Sequence, residues 1–447
     1  MSHAATLNEL VAEAIIGIDT LWGGDVMSPS GTGRFIADCW FSEQPLPYAY
    51  SHPAAAALRE TGGVAARSPD RAAIDAYLAE VSPPATIAAL ANEAGQIGGL
   101  RGRYLEGLAL CFDVMWDLAM EVLGRGPEVP YERCVLASTG HAPAPSAAQG
   151  LRARARELLA SQGFASADDE GLPAAVEAWR EQRLVPSGEI EPLSHSIIAE
   201  LDSLVRRHVV PHLPEALHSV PRANITFLPI EDAWFSGSMN YLGRARRSDG
   251  RPEFEATYEI NAALRISMPE FQQLVSHEVV PGHVTTFAYL QDLHERDEVG
   301  FEASVLTMNT RAATLFEGIA NNAILMAYGA TSIDELPSAD LQIGVLLALL
   351  QDAAKNQASW LTWQVRRDQA EVAAELRRDY LVSEERAGKL SGAWGRHPLM
   401  GRMYLPCYQS GTNLVARLRR TYPPERVIPA LYGCHGVVDA VTVEDAV

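Results

Sequence analysis

Helical periodicity dominates the chain. Between Thr86 and Leu123 apolar residues recur every three to four positions, which predicts one long, largely apolar helix or a broken pair, with Gly95 and the Gly98-Gly99 step as weak points. Ser146 to Ser161 and Pro192 to His208 read as amphipathic helices. From Ser338 to Tyr380 the helical spacing persists for about forty residues. That is too long for one surface helix of a small domain and suits the spine of a large helical body. Gly124 to Pro145 is rich in proline and glycine and reads as a linker. The exception to the helical pattern is Ala223 to Ser267. There Ile225-Thr226-Phe227-Leu228, Ser236 to Leu242 and Phe254 to Asn261 read as short strands, with turn chemistry at Ser248-Asp249-Gly250. No repeat, heptad seam or low-complexity segment is present. The expected organisation is one mostly helical domain: a helical part over about 1–125, the linker over about 124–145, a small sheet over about 223–267, helices over about 268–325 and further helices over 338–447.

Composition narrows the class. Of 447 residues, 47% are apolar and 21% charged, the profile of an ordinary globular protein. Acidic residues outnumber basic ones by 56 to 36, a net charge of −20, which argues against nucleic acid or an anionic membrane as partner. The only lysines are Lys355 and Lys389; with alanine abundant, this reads as the codon bias of a GC-rich genome. Cys39, Cys111, Cys134, Cys407 and Cys434 are scattered, odd in number and without a CxxC pair, so reduced thiols are expected. No signal peptide is apparent in the first residues, and the apolar run Ile343 to Leu350 is too short to span a bilayer. The expectation is a cytoplasmic protein with no membrane or nucleic-acid partner; a homodimer is compatible with the sequence.

The chemistry is concentrated in His277-Glu278-Val279-Val280-Pro281-Gly282-His283. Two imidazoles with an adjacent carboxylate are the residue types that catalytic zinc sites use for two ligands and a general base. A third candidate ligand, Glu317, follows His283 by 34 residues. The spacing of the histidines is i and i+6 rather than i and i+4. At about 3.6 residues per turn, an unbroken helix would aim the two rings in different directions. Pro281 sits four residues after His277, where its ring clashes with a helical carbonyl and its nitrogen has no hydrogen to donate. Gly282 adds backbone freedom. The expectation is a local bulge or loop-out at Pro281-Gly282 that absorbs the two extra residues and returns His283 to the face of His277. One ion with Zn–N near 2.1 Å requires the ring nitrogens within about 5 Å of each other.

On that reading zinc, or another divalent metal, is held by His277, His283 and Glu317, and Glu278 is the general base. Two alternatives share the residues: a metal-dependent enzyme acting on a non-peptide small molecule, and a non-catalytic binding protein on a degenerate peptidase scaffold.

The segment resembles the HExxPGH signature of a bacterial family of unknown function numbered 885. Members carry a Tyr-x-x-Asn segment before the motif and Glu-Gly-x-Ala after it, matched here by Tyr258-Glu259-Ile260-Asn261 and Glu317-Gly318-Ile319-Ala320. The similarity covers about residues 222 to 325. That family in turn resembles Taq-type zinc carboxypeptidases. The resemblance therefore implies a mainly α, zinc-peptidase-like domain with a small sheet beside a deep active-site cleft, and a short peptide or small molecule as substrate. The chain departs from the family pattern twice. Leu350-Gln351-Asp352-Ala353-Ala354-Lys355-Asn356-Gln357 lacks the Arg and His of the family's RLVVDTGxH-like helix. Arg402-Met403-Tyr404-Leu405-Pro406-Cys407-Tyr408-Gln409 matches a PGQAxxY segment only loosely.

Tyr404 and Tyr408 are candidate oxyanion donors, with a place in the aromatic core as the alternative for each. Asn321, four residues after Glu317, is a candidate to orient that carboxylate, with an ordinary surface position as the alternative. His397 reads as a structural histidine, and Gly31-Thr32-Gly33 lacks the lysine of a phosphate loop.

Overall fold

Glycines, prolines and small polar caps cut the long apolar periodicity into separate helices. The computed structural model describes residues 3–28, 36–37, 39–186, 188–230, 237–261, 265–433 and 436–447; Gly31-Thr32-Gly33, Ser236 and Cys434 lie outside them. After α1 (His3–Leu21), the expected broken pair is α2 (Pro83–Ile97) and α3 (Gly99–Val122). They part at Gly98 and Gly99, whose φ of 64° and 62° suit only glycine without strain. The stretch expected as a linker is instead part of the body. Within it Tyr131–Thr139 forms α4, with Cys134 and Val135 buried. Pro130 precedes its first turn and Gly140, at φ 83°, ends it. The prolines and glycines that suggested a linker are helix boundaries. α5 (Gln149–Ser161) and α6 (Ile190–His208) follow.

The sheet has three strands, β1 (Ile225–Ile230), β2 (Gly237–Tyr241) and β3 (Ala256–Asn261), in the order β1-β3-β2. β3 runs parallel to β1 and antiparallel to β2, with Tyr258 opposite Phe227 and Met239. Ala256, Tyr258 and Ile260 point inward, the period of two expected for a half-buried strand. At the turn Gly250 takes φ 84° and donates its N–H to the Arg247 carbonyl.

Seven helices of the C-terminal half build the rest of the body around the site: α7 (Met268–Glu278), α8 (His283–Glu295), α9 (Arg311–Tyr328), α10 (Ala339–Ser359), α11 (Gln369–Tyr380), α12 (Glu384–Ser391) and α13 (Leu405–Thr421), with Pro424–Leu431 and Val443–Ala446 as short helices behind them. The fold is mainly α with one small sheet. Thr310 and Ser338 accept backbone N–H bonds at the starts of α9 and α10. The 338–380 periodicity is interrupted by a π-helical turn at Trp360–Gln364 and by Arg366 at φ 67°. Asp368 and Glu371 then form a capping box that starts α11. α10 is nevertheless a spine. Its Leu341 and Val345 belong to one buried apolar cluster, and its Ile343, Leu347 and Leu350 to a second.

Close backbone approach sets the helices around the site. α9 and α13 cross at Gly318 and Gly411. A Cβ on Gly411 would stand 1.8 Å from the Thr314 carbonyl oxygen, and one on Gly318 2.4 Å from that of Gly411. Ahead of α13, a π-helical turn over Met400–Tyr404 is fastened at both sides. His397 Nδ1 accepts from the Leu399 and Met400 amides at 3.2 and 3.1 Å. The buried Arg402 forks onto Glu121 of α3 at 2.8 and 2.9 Å.

Two outcomes follow. Gly411→Ala should lower the unfolding free energy by about 2–3 kcal/mol, since overpacking here meets backbone rather than a movable side chain; chemical denaturation measures it. Burial, with Arg402 nearby, pushes the His397 ring down to about 4. The unfolded chain then binds a proton that the folded chain refuses, so this contribution is complete above about pH 6.5 and fades toward pH 4. Over that window the stability advantage of wild type over His397→Gln should shrink by roughly 2–3 kcal/mol.

Candidate metal centre

The seven-residue motif spans the junction of two helices, the loop-out of the two expected forms rather than the bulge. α7 ends at Glu278, α8 begins at His283, and the Val280–Pro281 peptide between them is cis. The Gly282 N–H reaches back to the Ser276 carbonyl at 3.0 Å, and Val279 O receives the Thr285 amide at 3.1 Å. The Thr285 hydroxyl bonds both Val279 O and Arg222 O, and Tyr432 donates to the Pro281 carbonyl at 2.9 Å. A Cβ on Gly282 would fall 1.8 Å from the His277 carbonyl oxygen, so the turn closes only with glycine there. The result is that His283 returns to His277: ring centres are 4.8 Å apart and the planes nearly perpendicular, at 89°.

Glu317, in the second turn of α9, completes a cluster in which one ligand atom from each of the three residues lies within 4.8 Å of the others. Its Oε2 is 3.6 Å from His277 Nε2 and 3.9 Å from His283 Nε2. Atoms bound about 2.1 Å from a tetrahedral ion stand roughly 3.4 Å apart, so these separations suit a single small cation. The donor set, two imidazoles and a carboxylate, also suits zinc. Glu278 is beside the cluster, its Oε1 4.0 Å from His277 Nε2, and its side chain keeps some contact with solvent.

A polar chain fixes the tautomer of His277. His277 Nδ1 donates to Asn321 Oδ1 at 2.8 Å, which leaves Nε2 with a free lone pair facing the cluster. The amide orientation is consistent, because Asn321 Nδ2 donates to Thr412 Oγ1 at 3.0 Å. Asn321 therefore serves His277, not Glu317 as the sequence suggested. Burial, followed by the charges of His283 and Lys355, holds the His277 ring far below the ordinary histidine range, so it is neutral at neutral pH. Glu317 is positioned by Tyr404, whose hydroxyl donates to Oε1 at 2.6 Å. Tyr408 lies next to Tyr404, ring centres 5.2 Å apart. Burial and the nearby carboxylates, Glu317 first, keep both phenols protonated.

Two charged residues of α10 enter the same neighbourhood without having been singled out from sequence. Lys355 Nζ bonds Asp352 Oδ1 at 3.1 Å and lies 3.2 Å from the centre of the Tyr408 ring. Asp352 Oδ2 is also 3.2 Å from Thr412 Oγ1, which links this pair to the Asn321 chain. The available signal was composition: in a chain with 36 basic residues, one of only two lysines stands here. Asn356, one residue on, is turned away and bonds Ala144 O and Ser146 Oγ. His397 caps the turn before Tyr404 and is not part of the cluster. A cavity of about 690 Å³ opens between α6, residues 218–224 and the Arg247–Glu253 hairpin. Its lining includes none of the cluster side chains, so it is not the expected active-site cleft.

No protein-family model and no curated protein matches the chain. Solved structures do resemble it. One, described as a putative lipoprotein from Colwellia psychrerythraea, superposes with a TM-score of 0.51 at 15% identity, over 84% of this chain and 61% of that one. The chain thus spans about three fifths of that protein's length. Another, from Shewanella oneidensis and of unknown function, gives a TM-score of 0.47 at 13% identity, over 90% of this chain and 79% of that one. The first likeness shows a shared fold and nothing of activity. Among the described residues, no helix is long and apolar enough to cross a membrane.

Asn321→Ala leaves His277 Nδ1 without its acceptor and frees the ring to turn. It should weaken zinc binding about 10–100-fold with the fold intact, read by competition against a chelating dye.

Proposed function

We propose that this protein is a zinc-dependent peptidase or amidohydrolase acting on short peptides. One observation carries the reading: His277, His283 and Glu317, drawn from three helices, converge within 4.8 Å with Glu278 at their edge. The resemblance of His277–His283 to the HExxPGH signature points the same way.

When bound by those three residues, a zinc ion would polarise a water molecule and lower its pKa to about 7. Glu278 accepts the proton that the water gives up as it attacks the amide carbonyl, and then returns it to the leaving amine. Its partial contact with solvent gives water a route in. His277, neutral and fixed by Asn321, presents Nε2 and keeps it unprotonated. Tyr404 keeps Glu317 in place, its own proton committed to that carboxylate. Tyr408 is then the phenol with a proton to offer to the carbonyl oxygen as negative charge develops on it. The sheet beside the motif supports an extended substrate by leaving β1 and β2 as edge strands around β3. Tyr258, at its centre, is near enough to Glu278 to feel its charge.

The test combines elemental analysis with a peptide-cleavage assay. Purified protein should carry about one zinc per chain, and His277→Ala should lose both metal and turnover. Glu278→Gln should keep the metal and lose about 10²–10⁴-fold in turnover. Undiminished cleavage by the Gln variant removes Glu278 from the mechanism, and absence of affinity for added zinc or other divalent metals removes the metal reading altogether.

A further inference from the structure

The face of the sheet that meets α8 carries a polar group with nothing to bind. Tyr258, in the middle strand β3, is 2% exposed, and its hydroxyl has no hydrogen-bond partner among the described residues. Other buried tyrosines have one: Tyr77 donates to Gly17 O at 3.0 Å, Tyr241 to Gln291 Oε1 at 2.7 Å and Tyr432 to Pro281 O at 2.9 Å. An unmet hydroxyl in the interior costs free energy, so folding alone would favour phenylalanine at 258. Room for the oxygen comes from Gly237 of β2, where a Cβ would fall 2.3 Å from it. Burial, and after it the charge of Glu278, hold the phenol protonated, so it is a donor.

Strand register and the packing of α8 say where that donor is. Gly237, Met239 and Tyr241 alternate onto one face of β2, and Tyr258 pairs with Met239 across the sheet, so its ring shares that face. α8 lies against the same face. The Phe287 ring stacks on Tyr241 with centres 5.5 Å apart, Tyr241 reaches Gln291, and Gln291 Nε2 donates to Gly243 O at 2.7 Å. Helix and strand therefore run in the same direction. One turn back from Phe287 is His283, about 6 Å along the helix, and two residues back from Tyr241 is Met239, about 7 Å along the strand. Tyr258 leans farther the same way, over Gly237. Phe287 also meets Phe316, the neighbour of Glu317, with ring centres 5.7 Å apart. The free hydroxyl is thus on the sheet side of the metal cluster, toward the end of α8 that carries His283.

We infer that Tyr258 touches the substrate, its hydroxyl donating a hydrogen bond to an amide carbonyl of the peptide bound at the cluster. The inference rests on the peptidase reading and deepens it. This donor enters from the sheet, whereas Tyr404 and Tyr408 belong to α13 and the turn before it. Because the hydroxyl is already out of water and committed to no acceptor in the free protein, a bond to substrate is gained without breaking another. An alkyl group in the same place would leave the hydroxyl unmet, so the contact selects amides.

The test is Tyr258→Phe in the full chain, which removes the oxygen and keeps the ring. In the metal-free state the denaturation midpoint should equal or exceed that of wild type, because no bond made on folding is lost. A lower midpoint gives the hydroxyl a structural partner and overturns the inference. Loaded with zinc, the variant should bind the metal as wild type does and cleave peptides with kcat/KM reduced about three- to tenfold. A fall in kcat places the bond on the carbonyl under attack, and a rise in KM places it on a neighbouring one. Zinc-loaded Glu278→Gln protein, titrated calorimetrically with N-acetyl-trialanine amide, gives a readout without turnover: adding Tyr258→Phe should weaken binding by a similar factor. Zinc-dependent cleavage with the same kcat/KM in wild type and Tyr258→Phe would overturn the inference and leave the peptidase reading standing. Weaker peptide binding on loss of the hydroxyl, in a protein that cleaves nothing, would keep the carbonyl contact and sink the peptidase reading. Neither cleavage nor peptide binding overturns both.

Discussion

The centre depends on a backbone that cannot continue as a helix. Pro281 has no N–H to give and Gly282 has no room for a side chain, so α7 stops at Glu278 and α8 begins at His283. Between them the chain turns back on itself, fastened by Gly282 to Ser276, Thr285 to Val279 and Tyr432 to Pro281. The junction converts a spacing that would separate two imidazoles on a regular helix into one that brings their rings to 4.8 Å. Without it, Glu317 would face one histidine rather than two.

What surrounds the junction fixes orientation rather than position alone. Gly318 and Gly411 let α9 and α13 touch through their backbones, so side chains from both helices meet around Glu317. From that contact run two polar connections. One passes from His277 through Asn321 and Thr412 to Asp352 and Lys355; the other joins Glu317 to Tyr404. Each link is short, and most are buried, where hydrogen bonds are strong and unmet ones costly. A proposed ligand set supported this way is held in one tautomer and one rotamer, the condition for pre-organised chemistry. The same network brings Lys355 over the ring of Tyr408.

Much of the fold was legible in the chain. The helical periods of 86–123, 146–161 and 192–208, the three strands and the 248–250 turn all follow from local pattern and turn chemistry. The exceptions are instructive. Gly124 to Pro145 resembled a linker because prolines and glycines bound short buried helices as well as loops. The 338–380 periodicity resembled one long helix because the π-turn at 360–364 and the left-handed Arg366 leave no mark in an apolar repeat.

The site divides along the same line. The sequence by itself determined which residue types could bind a metal, that the HEVVPGH segment must break, and that Glu317 was available, since these follow from side-chain chemistry and from proline's missing hydrogen. It could not say that Asn321 would serve His277, that Tyr404 would be committed to Glu317, or that Asp352, Lys355 and Thr412 would gather nearby. Along the chain Asn321 lies 44 residues from His277, Tyr404 87 from Glu317, and Thr412 91 from Asn321 and 60 from Asp352, and no local pattern encodes their meeting. Only the tertiary structure decided it, because the crossing of α9 and α13 through two glycines and the packing of α10 beside them set which side chains share one small volume.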